Sequence, residues 1–168
     1  MITSAGVGIY SSRADKNCAP NIKEVRFGDK VTTIPAYLCY HMSSLQDLVI
    51  PESVTNIGRQ AFEGCSKLTK LTIPDAVTTI GDYAFQKCTG LTEVTIGKKV
   101  ASIGTYAFYM GNYNGNLKKI YCKAQQPPII DLSFPSSVSV IYVPRESVEE
   151  YRVIWSDFAS KILGYDFE

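Results

Sequence analysis

The thiols and the imidazole are the side chains here best suited to chemistry, and their spacing argues against it. Five cysteines (Cys18, Cys39, Cys65, Cys88 and Cys122) and one histidine, His41, are spread over 168 residues. A zinc or redox centre needs two sulfurs close enough to share it, and no Cys-x-x-Cys occurs. His41 has no acid and nucleophile at a useful spacing, and reads as a turn-surface histidine. Gly-x-x-x-x-Gly-Lys-Ser/Thr, His-Glu-x-x-His and Gly-x-Ser-x-Gly are absent. Asp75, Asp82 and Asp131 fall in or near turns, where aspartate is common without function. Glu146, Glu149 and Glu150 suit the start of a helix and its dipole. The sequence therefore predicts no catalytic residue, no metal ligand and no cofactor, and leaves recognition as the available chemistry.

Recognition needs side chains held in register, and the chain supplies register by repeating every 23 residues. Leu45 to Lys67, Leu68 to Gly90 and the stretch from Leu91 align column by column. The first column holds Ile22, Leu45, Leu68, Leu91, Leu117 and Val138; the fourth holds Val25, Leu48, Leu71, Val94, Ile120 and Ile141. The sixth holds Phe27, Ile50, Ile73, Ile96, Cys122 and Val143. Alternation between columns four and six predicts a short strand with one buried face. Gly28, Pro51, Pro74, Gly97 and Pro144 then end each strand. Further core columns follow at Val31, Val54, Val77 and Val100, and at Ile34, Ile57, Ile80 and Ile103, the latter ahead of Pro35, Gly58, Gly81 and Gly104. The Ala-Phe pairs Ala61-Phe62, Ala84-Phe85 and Ala107-Phe108 predict close-set helical turns carrying a buried phenylalanine ladder.

No unit can bury its own apolar stripe, whereas a stack buries a continuous one. The expected fold is an α/β repeat solenoid. It is a right-handed superhelix with one parallel sheet of short strands, short helical turns on the opposite side and a C-terminal helical cap. Residues 1–168 form one domain on this reading: a partial N-terminal repeat and loop over 1–21, repeats over 22–137, and the last strand with its cap over 138–168. Ile2 to Gly6 resembles Val100 to Gly104, which places Tyr10 in the phenylalanine column and makes 11–20 an inserted loop holding Cys18. Cys39 replaces a phenylalanine, Met42 occupies the column of Cys65 and Cys88, and Ser133-Phe134 substitutes for Ala-Phe. Gly111 to Asn116 lengthens one unit as an exposed turn. From Arg145 to Phe158 the pattern is an amphipathic helix, with a Ser147/Glu150 capping box and a stripe of Val148, Tyr151, Ile154 and Trp155. Cys65 and Cys88 are neighbours on successive rungs, within reach of a disulfide, although two small buried thiols are the simpler reading.

The outward strand positions are where partners would touch. Position three reads Glu24, Asp47, Lys70, Glu93, Lys119 and Val140, so charges alternate from Asp47 to Lys119 and should pair weakly between strands. Position five reads Arg26, Val49, Thr72, Thr95, Tyr121 and Tyr142. Arg26, Val49, Lys119, Tyr121 and Tyr142 are the candidate partner-binding residues. Tyrosine and arginine anchor interfaces, and two tyrosines beside Lys118 and Lys119 weight the C-terminal end.

With 45% apolar residues the chain can fill a core, and a net charge of +1 argues against nucleic acid or an acidic membrane as its partner. No apolar run approaches membrane-spanning length and no secretion signal is visible at the start.

The phrases Val54 to Pro74 and Val77 to Gly97 resemble the BspA-like leucine-rich repeat family. They carry Val-Thr-x-Ile-Gly-x-x-Ala-Phe-x-x-Cys-x-x-Leu-x-x-Leu-x-Ile, ended by proline or glycine, with small departures. Ile141 to Pro144 followed by Ser147, Tyr151 and Trp155 resembles the terminal cap common in that family among anaerobic gut and oral bacteria. The resemblance implies a non-enzymatic module, extracellular or on the cell surface. It would adhere to a protein partner, either a host matrix protein or a bacterial surface protein. The alternatives are a glycan-binding module using the exposed tyrosines, and a spacer or cap within a larger surface protein.

Overall fold

The computed structural model describes residues 21–111 and 115–168. The readings of 1–20, including the partial repeat, Tyr10 and Cys18, and of Asn112 to Asn114 fall outside the described residues. Within them, every rung begins with the expected strand: β1 (Glu24–Arg26), β3 (Asp47–Val49), β5 (Lys70–Thr72), β7 (Glu93–Ile96), β9 (Lys119–Cys122) and β11 (Val140–Pro144). Their pairing is parallel and keeps repeat register, as in Leu71 opposite Val94 and Val94 opposite Ile120. Core columns point inward and are buried, from Leu45, Leu68 and Leu91 to Ile141 and Val143.

Three expectations need correction. First, there is more than one sheet. The pairs β2 (Thr33–Ile34), β4 (Asn56–Ile57), β6 (Thr79–Ile80), β8 (Ser102–Ile103) and β10 (Ile129–Ile130) form a second five-stranded parallel sheet. The first ladder is itself split into β1–β3 and a five-stranded sheet starting at β5. Second, the Ala-Phe segments are turns rather than helices. Their amide N–H groups donate to the next rung: Cys39 N to Ala61 O at 2.7 Å, Phe62 N to Ala84 O at 2.8 Å, and Phe85 N to Ala107 O at 2.8 Å. A donor used between rungs is not available within a helix. The turns close instead through left-handed residues at Tyr37, Gln60, Tyr83 and Tyr106. Third, the C-terminal cap is more than a helix. Its α-helical part is α1 (Val148–Ile154), flanked by 3-10 turns, and it returns a further strand, β12 (Ile162–Tyr165), parallel to β11. The capping box does not form: Ser147 makes no cap bond, and its hydroxyl donates to Gln125 at 3.3 Å. Ile154 is exposed, whereas Tyr151 and Trp155 are buried.

Two glycines show how tightly the rungs approach. A Cβ on Gly58 would lie 2.5 Å from the Ala36 amide nitrogen, and one on Gly81 2.7 Å from that of Arg59. No side chain fits there without moving backbone, which explains why glycine follows the buried Ile57, Ile80 and Ile103.

The phenylalanine ladder is present and longer than the three clean copies. Phe62, Phe85 and Phe108 stack at 5.2 and 5.3 Å with nearly parallel rings, Phe134 continues at 5.6 Å, and Trp155 closes it at 5.5 Å. Phe85 lies mid-ladder and is fully buried. Truncating it removes contacts to both neighbours, so Phe85→Ala should cost about 3–5 kcal/mol. A denaturant titration should show this as a lower midpoint; an unchanged midpoint would contradict the stacking.

Candidate interaction surface

Position five of the first ladder points to solvent on every rung, and its C-terminal end gathers aromatic rings. Tyr121 and Tyr142 are opposite one another in register on β9 and β11. Their rings stack at 4.9 Å and 18°, close to the spacing of neighbouring strands, so they stand as a ladder on the sheet. β12 adds Tyr165, edge-on to Tyr121 at 5.7 Å and tilted to Tyr142 at 5.5 Å, and Phe167 lies 4.9 Å from Tyr165. Leu163, opposite Tyr142, is half exposed. The phenolic oxygens of Tyr121, Tyr142 and Tyr165 make no hydrogen bond among the described residues, which leaves three outward donor–acceptor groups on an apolar base.

Sequence reasoning placed Lys119, Tyr121 and Tyr142 together, and the structure puts them on one face. Arg26 and Val49 are elsewhere: they oppose each other on β1 and β3, with β5 and β7 between them and the tyrosines. Arg26 bonds Glu24 on its own strand, and Val49 stands 73% exposed by itself. Tyr165, Phe167 and Leu163 were missed because the segment from Ile162 lacks the Leu-x-x-Leu signature.

The charge pattern is only partly self-neutralising. Lys70 and Glu93 pair at 3.9 Å, as alternation predicts. Glu24 and Asp47 oppose each other with like sign. Lys119 has no ion pair among the described residues. In register it stands between Val140 on β11 and Glu93 on β7, and Glu93 pairs with Lys70, so a cation stands beside the tyrosine stack. Below the stack, Arg145 and Asp166 form a two-point ion pair at 2.8 and 2.9 Å. That pair holds the Arg145 guanidinium charged and lowers the Asp166 carboxyl below its usual range.

The groups with other chemistry serve structure. The described cysteines are all buried and unbonded. Cys65 donates to the Cys39 carbonyl at 3.3 Å and Cys88 to that of Phe62 at 3.2 Å, so each thiol ties its rung to the one before. A hydrogen bond with Cys88, followed by burial, pushes the Cys65 thiol up, and burial does the same for Cys39. His41 sits on the surface with its ring 4.3 Å from Tyr40 and Nε2 4.0 Å from the buried carboxylate of Glu63. Glu63 itself is bound by Lys87 at 3.0 Å and Gln60 at 2.6 Å. Asp75 and Asp82 accept from the Lys98 and Thr105 amides one rung on, at 3.1 and 3.0 Å, which accounts for both as turn residues. No helix among the described residues is long and apolar enough to cross a membrane.

The family model described as BspA type leucine rich repeat region matches the chain in six copies over residues 10–141. No curated protein matches. Among solved structures, a leucine-rich repeat protein from Bacteroides ovatus is 28% identical with a TM-score of 0.59, covering 70% of this chain and 29% of that one. This chain therefore spans less than a third of that relative. A leucine rich cell surface protein from Faecalibacterium prausnitzii is 22% identical with a TM-score of 0.46, covering 77% of this chain and 50% of that one.

The buried thiols give a pH-dependent test. Burial pushes Cys122 up to about 11 from an ordinary 9.0, partly offset by hydrogen bonds with Tyr151 and Ala124. The unfolded thiol ionises first as pH rises. Its contribution to stability is therefore whole below pH 9 and falls between pH 9 and 11. In a Cys18→Ser background, a thiol-labelling reagent at pH 8 should leave the folded chain unmodified and react only after denaturant is added. Fast labelling of the native chain would show that these cysteines are not sealed in the core.

Proposed function

We propose that this chain, which belongs to the BspA-type leucine-rich repeat family, is a non-enzymatic protein-interaction module whose partner docks on the C-terminal end of the first sheet. The observation that carries this reading is the stacked pair Tyr121–Tyr142, braced by Tyr165 and flanked by Lys119. Rigid tyrosines lose little entropy on binding and combine apolar area with a hydroxyl, the properties of interface anchors. The lysine steers a partner with acidic groups. By contrast, Thr72 and Thr95 in the middle of the face offer little apolar area to desolvate. A location outside the cell or on its surface, and adhesion to a host matrix or bacterial surface protein, follow from the family resemblance and complete the proposal.

The stack also bears on the saccharide alternative at this face. A sugar ring packs on an exposed aromatic face, but Tyr121 and Tyr142 turn faces to each other and Tyr165 leans on both. What they present outward is ring edge and hydroxyl, which suits a protein surface better.

Biolayer interferometry against host matrix proteins and bacterial surface extracts would test the proposal. The double change Tyr121→Ala with Tyr142→Ala should weaken binding by more than about 1.4 kcal/mol, or tenfold. The core strands should persist by circular dichroism, because both side chains point away from the core. Unchanged affinity in the folded double variant would move the site elsewhere.

A further inference from the structure

The last rung ends in two unequal halves. On the first-sheet half the cap supplies what a further rung would. β12 pairs along β11, the Tyr151 hydroxyl donates to the Ala124 carbonyl at 2.7 Å, and the Trp155 indole donates to the Pro128 carbonyl at 2.9 Å. The indole bond stands in for a repeat bond: in the same column, the Thr32, Thr55 and Thr78 carbonyls accept from amides one rung on at 2.8, 2.8 and 2.9 Å. Past Pro128 this substitution stops.

Three further columns of rung-to-rung bonds end there. The Ile34, Ile57 and Ile80 carbonyls accept from Gly58, Gly81 and Gly104 at 2.8, 2.9 and 2.8 Å. The left-handed Tyr37, Gln60 and Tyr83 donate to the Arg59, Asp82 and Thr105 carbonyls at 3.1, 2.9 and 3.0 Å. The Cys39, Phe62, Phe85 and Phe108 amides donate to Ala61, Ala84, Ala107 and Ser133 at 2.7, 2.8, 2.8 and 2.9 Å. On the last rung these columns hold Ile130, Leu132 (φ 47°) and Phe134. That rung is one residue shorter between Ile130 and Ser133, which leaves the Tyr106 amide without its bond. The Leu132 and Phe134 amides make no hydrogen bond among the described residues, and no donor among them reaches the Ile130 carbonyl. Phe134 is buried, and a buried amide is ordinarily paired. Against these groups lies a cleft of about 450 Å³, walled by Ile130, Leu132 and Phe134 on the turn and by Ile154, Phe158 and Lys161 on the cap.

We infer that this cleft takes a short segment of a partner polypeptide, laid on β10 and its turn as a further rung would be. It continues the interface that joins every rung to the next. Copying the repeat, its first residue donates to the Ile130 carbonyl, and its second and fourth accept from Leu132 and Phe134. The first residue is glycine, because a Cβ on Gly81 or Gly104 would meet the preceding backbone at 2.7 or 2.5 Å. The second falls beside Asp131, in the column where Arg59 meets Asp82 at 3.4 Å and the Thr105 hydroxyl donates to Asp131 at 2.9 Å. Asp157 adds a second carboxylate to the rim, and Lys161 is turned to the Ser136 carbonyl at 3.2 Å, so arginine or lysine complements the site. The third falls in the left-handed column, which asparagine or glycine enters at least cost. The fourth is small, because Trp155 and Phe158 already lie against the Phe134 ring at 5.5 and 6.0 Å. The cap covers the other half of this end, so a thin segment can enter where a whole solenoid end cannot.

Titrating the isotope-labelled chain with a capped peptide carrying Gly-Arg-Asn-Ala between serines, followed by NMR, would test this. The Leu132 and Phe134 amide resonances should move downfield and exchange more slowly with solvent. Sarcosine in place of the peptide's glycine removes the N–H and should abolish these changes. Glutamate in place of its arginine should weaken binding about tenfold, and Asp131→Lys in the chain should reverse that preference. The peptide arms leave the chain itself untouched, so their outcome does not depend on how a variant folds. The combined Tyr121→Ala and Tyr142→Ala variant should bind the peptide like the parent, which separates this cleft from the tyrosine face. Unmoved Leu132 and Phe134 amides, shifts confined to Tyr121, Tyr142 and Tyr165, or equal binding of the sarcosine peptide would each overturn the inference. So would the same shifts on concentrating the chain alone, which would give the cleft to a second copy.

Discussion

A single file of aromatic rings governs this molecule. Phe62, Phe85, Phe108 and Phe134 repeat at 5.2 to 5.6 Å and end on Trp155. That interval is close to the spacing of hydrogen-bonded strands, so rings and backbone ladders can advance together without slipping. Each ring is covered by the rung before and after it, and none could be buried by its own rung. Stability is therefore held between neighbours, and the ends of the file become the places where the pattern must change. In the first described rung, Cys39 stands in place of the ring, and Ile22, Phe27, Val31 and Leu38 are only partly buried. At the finish, Trp155 closes the file and donates from its indole to the Pro128 carbonyl at 2.9 Å.

The repeat made much of this legible. Buried columns are a matter of period, and a 23-residue period with leucine, isoleucine and phenylalanine in fixed places leaves little freedom. Even the substitutions Ser133-Phe134 and Cys39 fall where the columns put them. The second sheet was not legible, because two-residue strands such as Thr79–Ile80 are too short to show alternation. The turns misled for a different reason. Alanine before a buried phenylalanine has helical propensity, but its small size serves close packing here, and the amides are drawn to the next rung. β12 was missed because its pairing depends on α1 bringing it back to β11, and no local pattern in Ile162–Tyr165 announces that return.

The candidate face divides along the same line. Tyr121 and Tyr142 could be read as outward neighbours because they alternate with core residues in register. Arg26 and Val49 share their column, but a column in a solenoid is long, and residues at its two ends do not make one site. Tyr165 and Phe167 come from the cap, outside the repeat, so alignment could not reveal them. The left-handed column of Tyr37, Tyr83 and Tyr106 was equally hidden, since only backbone angles distinguish an outward tyrosine in a turn from one in a helix.

The cap shapes the C-terminal end of the first sheet, the face proposed for recognition. A solenoid that stopped at β11 would leave its core uncovered at that end. Here α1 places Tyr151 in the interior, where its hydroxyl donates to the Ala124 carbonyl at 2.7 Å and lies 3.2 Å from the Cys122 sulfur. Burial raises the Tyr151 phenol well above its ordinary range, which keeps the proton that this bond requires. With α1 pinned by Tyr151 and Trp155, β12 returns to pair along β11, and Tyr165 lands against the Tyr121–Tyr142 stack. The rings that a partner would meet are thus fixed from below by the sheet and from one side by the cap before any partner arrives. Preorganisation of that kind lowers the entropic cost of binding, so a small aromatic surface with Lys119 beside it can serve where a mobile one could not.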